Sequence, residues 1–94
     1  MPQYIRLVTL TDSAVRNVRK LGDMLAQARK VWEAHGCRIV QAWSTLGPYD
    51  LVAVIEGPDD ATVMKAAALN AQDGNFRAVT LPAVGLSEFI ASLK

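Results

Sequence analysis

The run Leu51-Val52-Ala53-Val54-Ile55 is apolar at every position and constrains how the rest of the chain folds. Successive residues of a β-strand point to opposite faces of the sheet, so a strand with one wet face alternates apolar and polar side chains. The run therefore predicts a strand over residues 51–56 that is covered on both faces. The strand predicted over Tyr4 to Leu10 also carries apolar side chains on both faces, for example Ile5 and Val8.

The residues just before this run predict a β-hairpin. A strand is expected over Cys37 to Leu46, and Gly47-Pro48 separates it from the strand over 51–56. Glycine tolerates an unusual φ and proline presets the φ that follows, which suits a tight turn between antiparallel strands.

The segment between the first two strands predicts a helix with one apolar stripe. Thr11-Asp12-Ser13 marks its start, because short side-chain oxygens accept hydrogen bonds from free amides there. Gly36 marks its end, since glycine tolerates a positive φ. A kink or break is expected at Gly22-Asp23, with Asp23 as a new N-cap. The stripe recurs at steps of three and four residues and consists of Val18, Leu21, Leu25, Ala28 and Trp32.

A second helix follows the apolar run. It is predicted to start at Pro58-Asp59-Asp60, with either aspartate as its cap, and to extend through about Leu69. Asp73-Gly74-Asn75 supplies the turn that ends it.

The last part of the chain predicts a fourth strand over Phe76 to Leu81, stopped by Pro82, and a short terminal helix over Leu86 to Leu93 that begins at Ser87. The order of elements is then βαββαβ. Two right-handed crossovers place both main helices on one face of a four-stranded antiparallel sheet. The predicted fold class is α+β, ferredoxin-like, with a short C-terminal helix.

This topology leaves the second face of the sheet without a cover, although the strand over 51–56 requires one. The terminal helix, at ~1.5 Å per residue, is long enough to shield only part of a four-stranded sheet. A second copy of the chain would cover the face, and symmetric dimers are the commonest soluble assemblies. We therefore expect a homodimer or a higher homo-oligomer.

Composition narrows the classes of function. With 94 residues, of which 51% are hydrophobic and 20% charged, the chain is expected to form one domain over 1–94. The net charge of +1 without a basic run argues against nucleic acid, and no apolar stretch reaches the ~20 residues of a membrane helix. No signal peptide is recognised, so a cytoplasmic location is expected. One cysteine and one histidine suggest no disulfide, metal site or cofactor.

Four residues around the predicted hairpin turn are candidates for binding a ligand. Tyr49 and Asp50 follow the turn and are expected to approach Trp43 and Thr45 on the partner strand. In a functional interpretation the carboxylate and the phenol orient a small molecule at the edge of the sheet. In a structural interpretation the aspartate accepts backbone amides and the tyrosine packs with its hydroxyl outward.

Two arginines are further candidates. Arg6 and Arg77 fall on strands that are neighbours in the predicted topology, and either could pair with Asp50 or bind an anionic ligand through bidentate hydrogen bonds. The alternative is a position at the sheet rim or in a dimer interface. His35 is expected to complement a helix C-terminus, and Cys37 to be a buried, inert thiol.

The stretch Trp43-Ser44-Thr45-Leu46-Gly47-Pro48-Tyr49-Asp50 resembles the W-x-T-L-G-x-Y-D signature of the GYD domain family, and Gly74-Asn75-Phe76-Arg77 extends the resemblance. It implies membership of the dimeric α/β-barrel superfamily, in which two ferredoxin-like sheets pack together. Pro82 departs from the family pattern, which usually has an arginine there. No particular reaction is implied, because relatives include cofactor-free monooxygenases, haem enzymes and ligand-sensing regulatory domains.

Three functional hypotheses follow. The first is a self-associating, non-catalytic domain that binds a small molecule or a partner protein. The second is a cofactor-free enzyme, such as a monooxygenase or isomerase acting on a hydrophobic small molecule, in which Tyr49 with Asp50, or His35, moves protons. The third is a purely structural assembly protein. An enzyme should have an apolar pocket of at least a few hundred Å³ with polar groups converging into it.

Overall fold

The computed structural model describes residues 1–94 and contains one four-stranded antiparallel sheet with four α-helices. The strand order is β2-β3-β1-β4, so the two strands that are central in space are the first and third along the chain. This is the predicted ferredoxin-like α+β fold. The elements are β1 (Gln3–Leu10), α1 (Asp12–Arg16), a 3-10 turn (Val18–Lys20), α2 (Leu21–Ala34), β2 (Arg38–Ser44), β3 (Leu51–Glu56), α3 (Asp60–Ala71), β4 (Phe76–Ala83) and α4 (Leu86–Ser92).

The caps of the helices follow the predicted chemistry at three ends. Thr11 Oγ1 accepts from the amide of Ala14 at the start of α1, and Asp59 Oδ1 accepts from the amide of Thr62 at the start of α3. At the end of α2, Gly36 has φ 73° and its amide donates to the carbonyl of Glu33. Short polar side chains and glycine therefore fix these ends as the sequence indicates.

The break in the first helical segment lies earlier than predicted. α1 ends at Asn17, whose side-chain amide donates to the carbonyl of Ser13 at 2.9 Å, and the 3-10 turn separates it from α2. An asparagine that binds a backbone carbonyl competes with the helical hydrogen-bond pattern, which explains the position. Gly22 and Asp23 lie inside the first turn of α2, so the prediction of Asp23 as an N-cap is wrong.

The fourth strand continues through Pro82 to Ala83, so the prediction that Pro82 stops it is wrong. β4 is an edge strand that pairs only with β1, where Tyr4 lies opposite Pro82. An edge strand tolerates proline because every second amide points away from the neighbouring strand and needs no partner there. Among other boundaries, β2 is shorter than predicted, α3 extends to Ala71, and α4 begins one residue before Ser87.

The core lies between one face of the sheet and helices α2 and α3. Gly57 permits close packing there, because a Cβ atom at this position would lie 2.4 Å from Val63 Cγ2. The larger buried cluster consists of Tyr4, Trp32, Cys37, Ile55, Val63 and Ala66. A second, smaller cluster consists of Val8, Ala28 and Phe76.

The opposite face of the sheet, called here the open face, is mostly apolar, and Gln41 is the one polar residue in its two central rows. The strand register places its side chains in two rows. Trp43, Val79 and Leu81 on this face are 48%, 48% and 44% exposed. One row is Trp43, Val52, Leu7 and Val79, and the other is Gln41, Val54, Ile5 and Leu81.

Helix α4 does not cover the open face. Every residue of α4 is exposed, including Leu86, Phe89 and Ile90. The molecule is only 16 Å across in its thinnest dimension, consistent with one layer of sheet and one layer of helix. The sequence allows two covers for the open face, the terminal helix and a second copy of the chain. The terminal helix does not cover it. No helix has the length and hydrophobicity needed to cross a membrane.

Candidate functional site

The turn between β2 and β3 is held by hydrogen bonds from three of the four residues predicted to bind a ligand. Thr45 donates its amide to the carbonyl of Asp50 at 2.9 Å and its hydroxyl to the carbonyl of Tyr49 at 2.7 Å. The Asp50 carboxylate accepts from the amide of Leu10 at 2.8 Å. These bonds close the turn and tie it to the end of β1, which is the structural interpretation of Thr45 and Asp50.

Trp43 lies apart from that turn network. The strand register places it opposite Val52 on the open face, in the row that includes Leu7 and Val79. The four predicted residues therefore divide between a turn and an exposed apolar surface, and the structure does not gather them into one polar pocket.

Arg6 has an unusual environment for a charged residue. It lies on the helix-covered face of β1, is 9% exposed, and donates from Nη1 to Thr80 Oγ1 at 2.7 Å. Its guanidinium carbon is 5.1 Å from the centroid of the Trp32 ring, within the range of a cation–π interaction. Burial lowers the pKa of Arg6, yet a guanidinium remains charged at neutral pH.

No carboxylate pairs with Arg6. The structure contains one salt bridge, between Arg38 and Glu56 at 2.8 Å. Arg77 is exposed and lies opposite Thr9, three register positions from the pair that Arg6 forms with Thr80. Neither arginine forms the ion pair with Asp50 that the sequence suggested.

Two cavities share Arg6 as part of their lining. The α2 cavity lies between α2 and the sheet, has a volume of about 240 Å³, and is lined mostly by apolar side chains such as Leu25, Trp32 and Ala53. Its only polar lining residues are Arg6 and Ser44. The acid–base groups named for an enzyme (Tyr49, Asp50 and His35) do not line it.

The α3 cavity lies between α3 and β4 and has a volume of about 280 Å³. Its polar lining comes from Arg6, Asn70, Arg77 and Thr80. The remaining lining residues are small or apolar: Ala67, Ala68, Ala71, Phe76 and Ala78.

Asn70 is a buried polar residue that sequence reasoning missed. It is 3% exposed, and neither its Nδ2 nor its Oδ1 has a hydrogen-bond partner. Buried side-chain amides are usually bonded, so this group requires an explanation. The spacing along the sequence could have identified Asn70 as buried. It follows Val63 and Ala66 at helical intervals and therefore lies on the same buried face of α3.

A second missed feature is the contact between Tyr4 and Asp60. The Tyr4 hydroxyl donates to Asp60 Oδ1 at 2.6 Å and connects β1 to the first turn of α3. This hydrogen bond, followed by burial, raises the pKa of Tyr4 to about 12. Asp59 alone caps the helix, and the hydrogen bonds from Thr62 lower the pKa of Asp59.

His35 and Cys37 have local roles. His35 Nδ1 lies 2.9 Å from the carbonyl of Val31, one turn earlier in α2. Cys37 is buried in the larger core cluster, and burial raises the pKa of its thiol, which keeps it in the less reactive neutral form.

Comparison with known proteins identifies relatives. A protein of Thermus thermophilus, "Glutamine synthetase and cystathionine beta-lyase binding protein", is 37% identical to this chain over 95 residues that cover 100% of both. The crystal structure of FFRP-DM1 has a TM-score of 0.61 with 16% identity, covering 89% of this chain and 100% of that one, and so shares the fold. The sequence pattern of the GYD domain matches residues 4–93. The chain belongs to the GYD domain family.

Proposed function

We propose that this chain is a non-catalytic adaptor: it pairs with a second copy through the open face and binds an enzyme as its protein partner through α4. The observation that supports it most is the open face itself. One row of apolar side chains crosses all four strands there, a second is apolar on three strands, and α4 does not cover them.

A second copy is the cover that best fits the open face. Monomeric proteins rarely expose contiguous apolar patches larger than a few hundred Å². The face is self-complementary in character, because the same apolar rows would meet each other across a twofold axis. Val79 and Leu81 lie on the edge strand β4, so the apolar surface extends to the rim of the sheet.

Helix α4 has the pattern of an element that binds in a groove on another protein. Its apolar residues follow at i, i+3, i+4 and i+7, which is the spacing of an amphipathic helix that docks by one face. At least half of the surface of each of these side chains is exposed. They are Leu86, Phe89 and Ile90 in α4 and Leu93 at its C-cap.

The Thermus thermophilus relative supports an enzyme as the partner. Its name states that it binds glutamine synthetase and cystathionine β-lyase, and it matches this chain over its full length. We transfer from it the kind of partner, a metabolic enzyme. An adaptor requires no acid–base pair of its own, in agreement with the apolar lining of the α2 cavity.

The test measures binding of the full chain to purified glutamine synthetase and cystathionine β-lyase from the same source by biolayer interferometry. Phe89→Asp should weaken binding by about tenfold or more, because a central aromatic anchor is replaced by a charge. Ser87→Asp is the matched control, since it adds the same charge to α4 outside the apolar series and should change affinity little.

Light scattering on the same samples separates the two parts of the proposal. The Phe89→Asp variant should keep the mass of the wild-type assembly. Equal binding by the wild type and Phe89→Asp, or binding of neither enzyme by the wild type, would contradict the assignment of α4.

A further inference from the structure

Arg6 and Asn70 contribute unpaired polar groups to the same cavity. Arg6 is a buried cation with one hydrogen bond to a neutral hydroxyl and no carboxylate partner. Asn70 is only 3% exposed, and both ends of its amide are unpartnered. Both residues line the α3 cavity.

The charge inside this cavity has one sign. Its one charged lining residue on the helix-covered side of the sheet is Arg6, because the register places Arg77 opposite Thr9 on the open face with Val79, and no aspartate or glutamate lines the cavity. Buried charges in proteins are normally paired. A guanidinium carries five N–H donors in a planar fork, and Arg6 uses one of its nitrogens on Thr80. Donors suited to an anion therefore remain.

We propose that the α3 cavity binds a small carboxylate that also carries a hydrogen-bond donor, such as a hydroxyl group next to the carboxylate. Arg6 binds the carboxylate through parallel N–H donors, the geometry that guanidinium groups favour. Asn70 Nδ2 donates to the same carboxylate, and Asn70 Oδ1 accepts from the ligand's donor. Both unpaired ends of the Asn70 amide are thereby used.

The walls of the cavity set the size and polarity of this ligand. Ala67, Ala71 and Ala78 supply methyl groups, which leave room without adding polar contacts. The volume of about 280 Å³ exceeds the ~30 Å³ that one water occupies in the liquid, so several non-hydrogen atoms fit. A compact hydroxy- or amino-carboxylate matches this space.

This site is independent of the proposed adaptor role. Arg6 lies on the helix-covered face of the sheet and Asn70 on the buried face of α3, on the opposite side of the sheet from Val79 and Leu81 of the open face. A failure of the carboxylate site would leave self-association and enzyme binding untouched, and the reverse also holds.

The experiment uses three probes of similar size in NMR titrations of the uniformly ¹⁵N-labelled full chain. Lactate has the carboxylate and the hydroxyl, propanoate has only the carboxylate, and lactamide keeps the hydroxyl without the charge. Chloride holds the ionic strength constant. Lactate should produce saturable shifts at the amides of Ala67, Ala71 and Ala78, propanoate should bind more weakly, and lactamide should not bind.

Variants test the two residues separately. Arg6→Met and Asn70→Leu each replace a buried polar group by an apolar one of similar length, and each should abolish saturable lactate shifts. Arg19→Met, at an exposed position, is the matched control and should bind like the wild type.

Three results would overturn the proposal. These are equal shifts with lactamide and lactate, saturable lactate binding retained in folded Arg6→Met or Asn70→Leu, or no saturation with the wild type, which would mean a water-filled cavity only. If a variant does not fold, the wild-type comparison of the three probes still decides the matter.

Discussion

At the scale of single residues, the polar side chains that matter most in this fold are paired over long sequence separations. Tyr4 and Asp60 are 56 positions apart and join β1 to α3 through one hydrogen bond of 2.6 Å. Tyr4 is 2% exposed, so most of its side chain is shielded from water. The bond requires the protonated phenol, which makes the stability of the fold depend on pH in the alkaline range.

We predict that this contribution is lost between about pH 10 and pH 12. The pKa of Tyr4 is raised from 10.0 to about 12, so the folded chain retains a proton that the unfolded chain releases. The stabilisation is therefore complete below pH 10 and declines as the pH rises through the folded-state pKa. Urea unfolding of the wild type and Tyr4→Phe across this range should show the difference in unfolding free energy shrinking.

The Tyr4→Phe variant also provides the control. Cys37 titrates in both proteins and is the smallest of the contributions that raise the pKa of Tyr4, so most of its effect cancels in the difference between them. A difference that stays constant across this pH range would show that the phenol hydrogen bond is not linked to protonation.

Sequence reasoning identifies residues whose roles are local and misses those whose roles are tertiary. Asp59 and Gly36 are predictable because a cap or a positive φ needs only neighbours along the chain. The Tyr4–Asp60 bond and the unpaired amide of Asn70 depend on how α3 packs on the sheet. The ligand candidates at the turn lie together in the sequence. The side chains of Thr45 and Asp50, however, form their hydrogen bonds with backbone groups of the protein itself.

At the scale of elements, backbone conformation decides how the first helical segment is divided. The sequence predicts a break at Gly22, yet this residue lies in the regular helix α2, and a Cβ atom added to it would meet nothing within 4 Å. Gly36 has φ 73° and ends the same helix, where the amide of Cys37 donates to the carbonyl of Trp32 at 2.9 Å. Gly22 lies in the first turn of α2 and Gly36 lies just beyond its end, so a side chain is tolerated at the first position and disfavoured at the second.

Alanine substitutions should therefore have opposite effects at these two positions. Gly22→Ala should raise the unfolding free energy by about 0.5–1 kcal/mol, because alanine is the better helix former and meets no neighbour. Gly36→Ala should lower it by about 1–2 kcal/mol, because an L-residue is disfavoured at positive φ.

Chemical denaturation of both variants checks this pair, and each serves as the control for the other. Destabilisation by Gly22→Ala would indicate that the glycine is needed for a bend that the structure does not contain. An unchanged Gly36→Ala would contradict the assigned helix end.

Element boundaries show the same division between local and tertiary information. β3 follows from its continuous apolar run, and the helix starts follow from cap chemistry. The extension of β4 through Pro82 could not be predicted from the chain alone, because it depends on β4 being an edge strand. Asn17 ends α1 by bonding to a backbone carbonyl, whereas the stronger break signal in the sequence lies at Gly22 and Asp23.

At the scale of the whole molecule, one layer of helices covers one face of the sheet and leaves the other open. The apolar run in β3 indicates from the sequence that the second face of the sheet needs a cover. Helix α4, whose residues are all exposed, does not provide it. Val79 lies near the centre of β4 on the open face and is 48% exposed. Val15, on α1 and outside the open face, is 55% exposed and offers the same side chain in a different setting.

Sedimentation equilibrium of the wild type, Val79→Lys and Val15→Lys tests the central claim most directly. The wild type and Val15→Lys should sediment at twice the mass of one chain or a higher multiple. Val79→Lys should sediment at the mass of one folded chain, because it places an unpaired charge in the interface. A wild type that remains a single chain at every concentration, or a Val79→Lys variant that assembles like the wild type, would contradict the account.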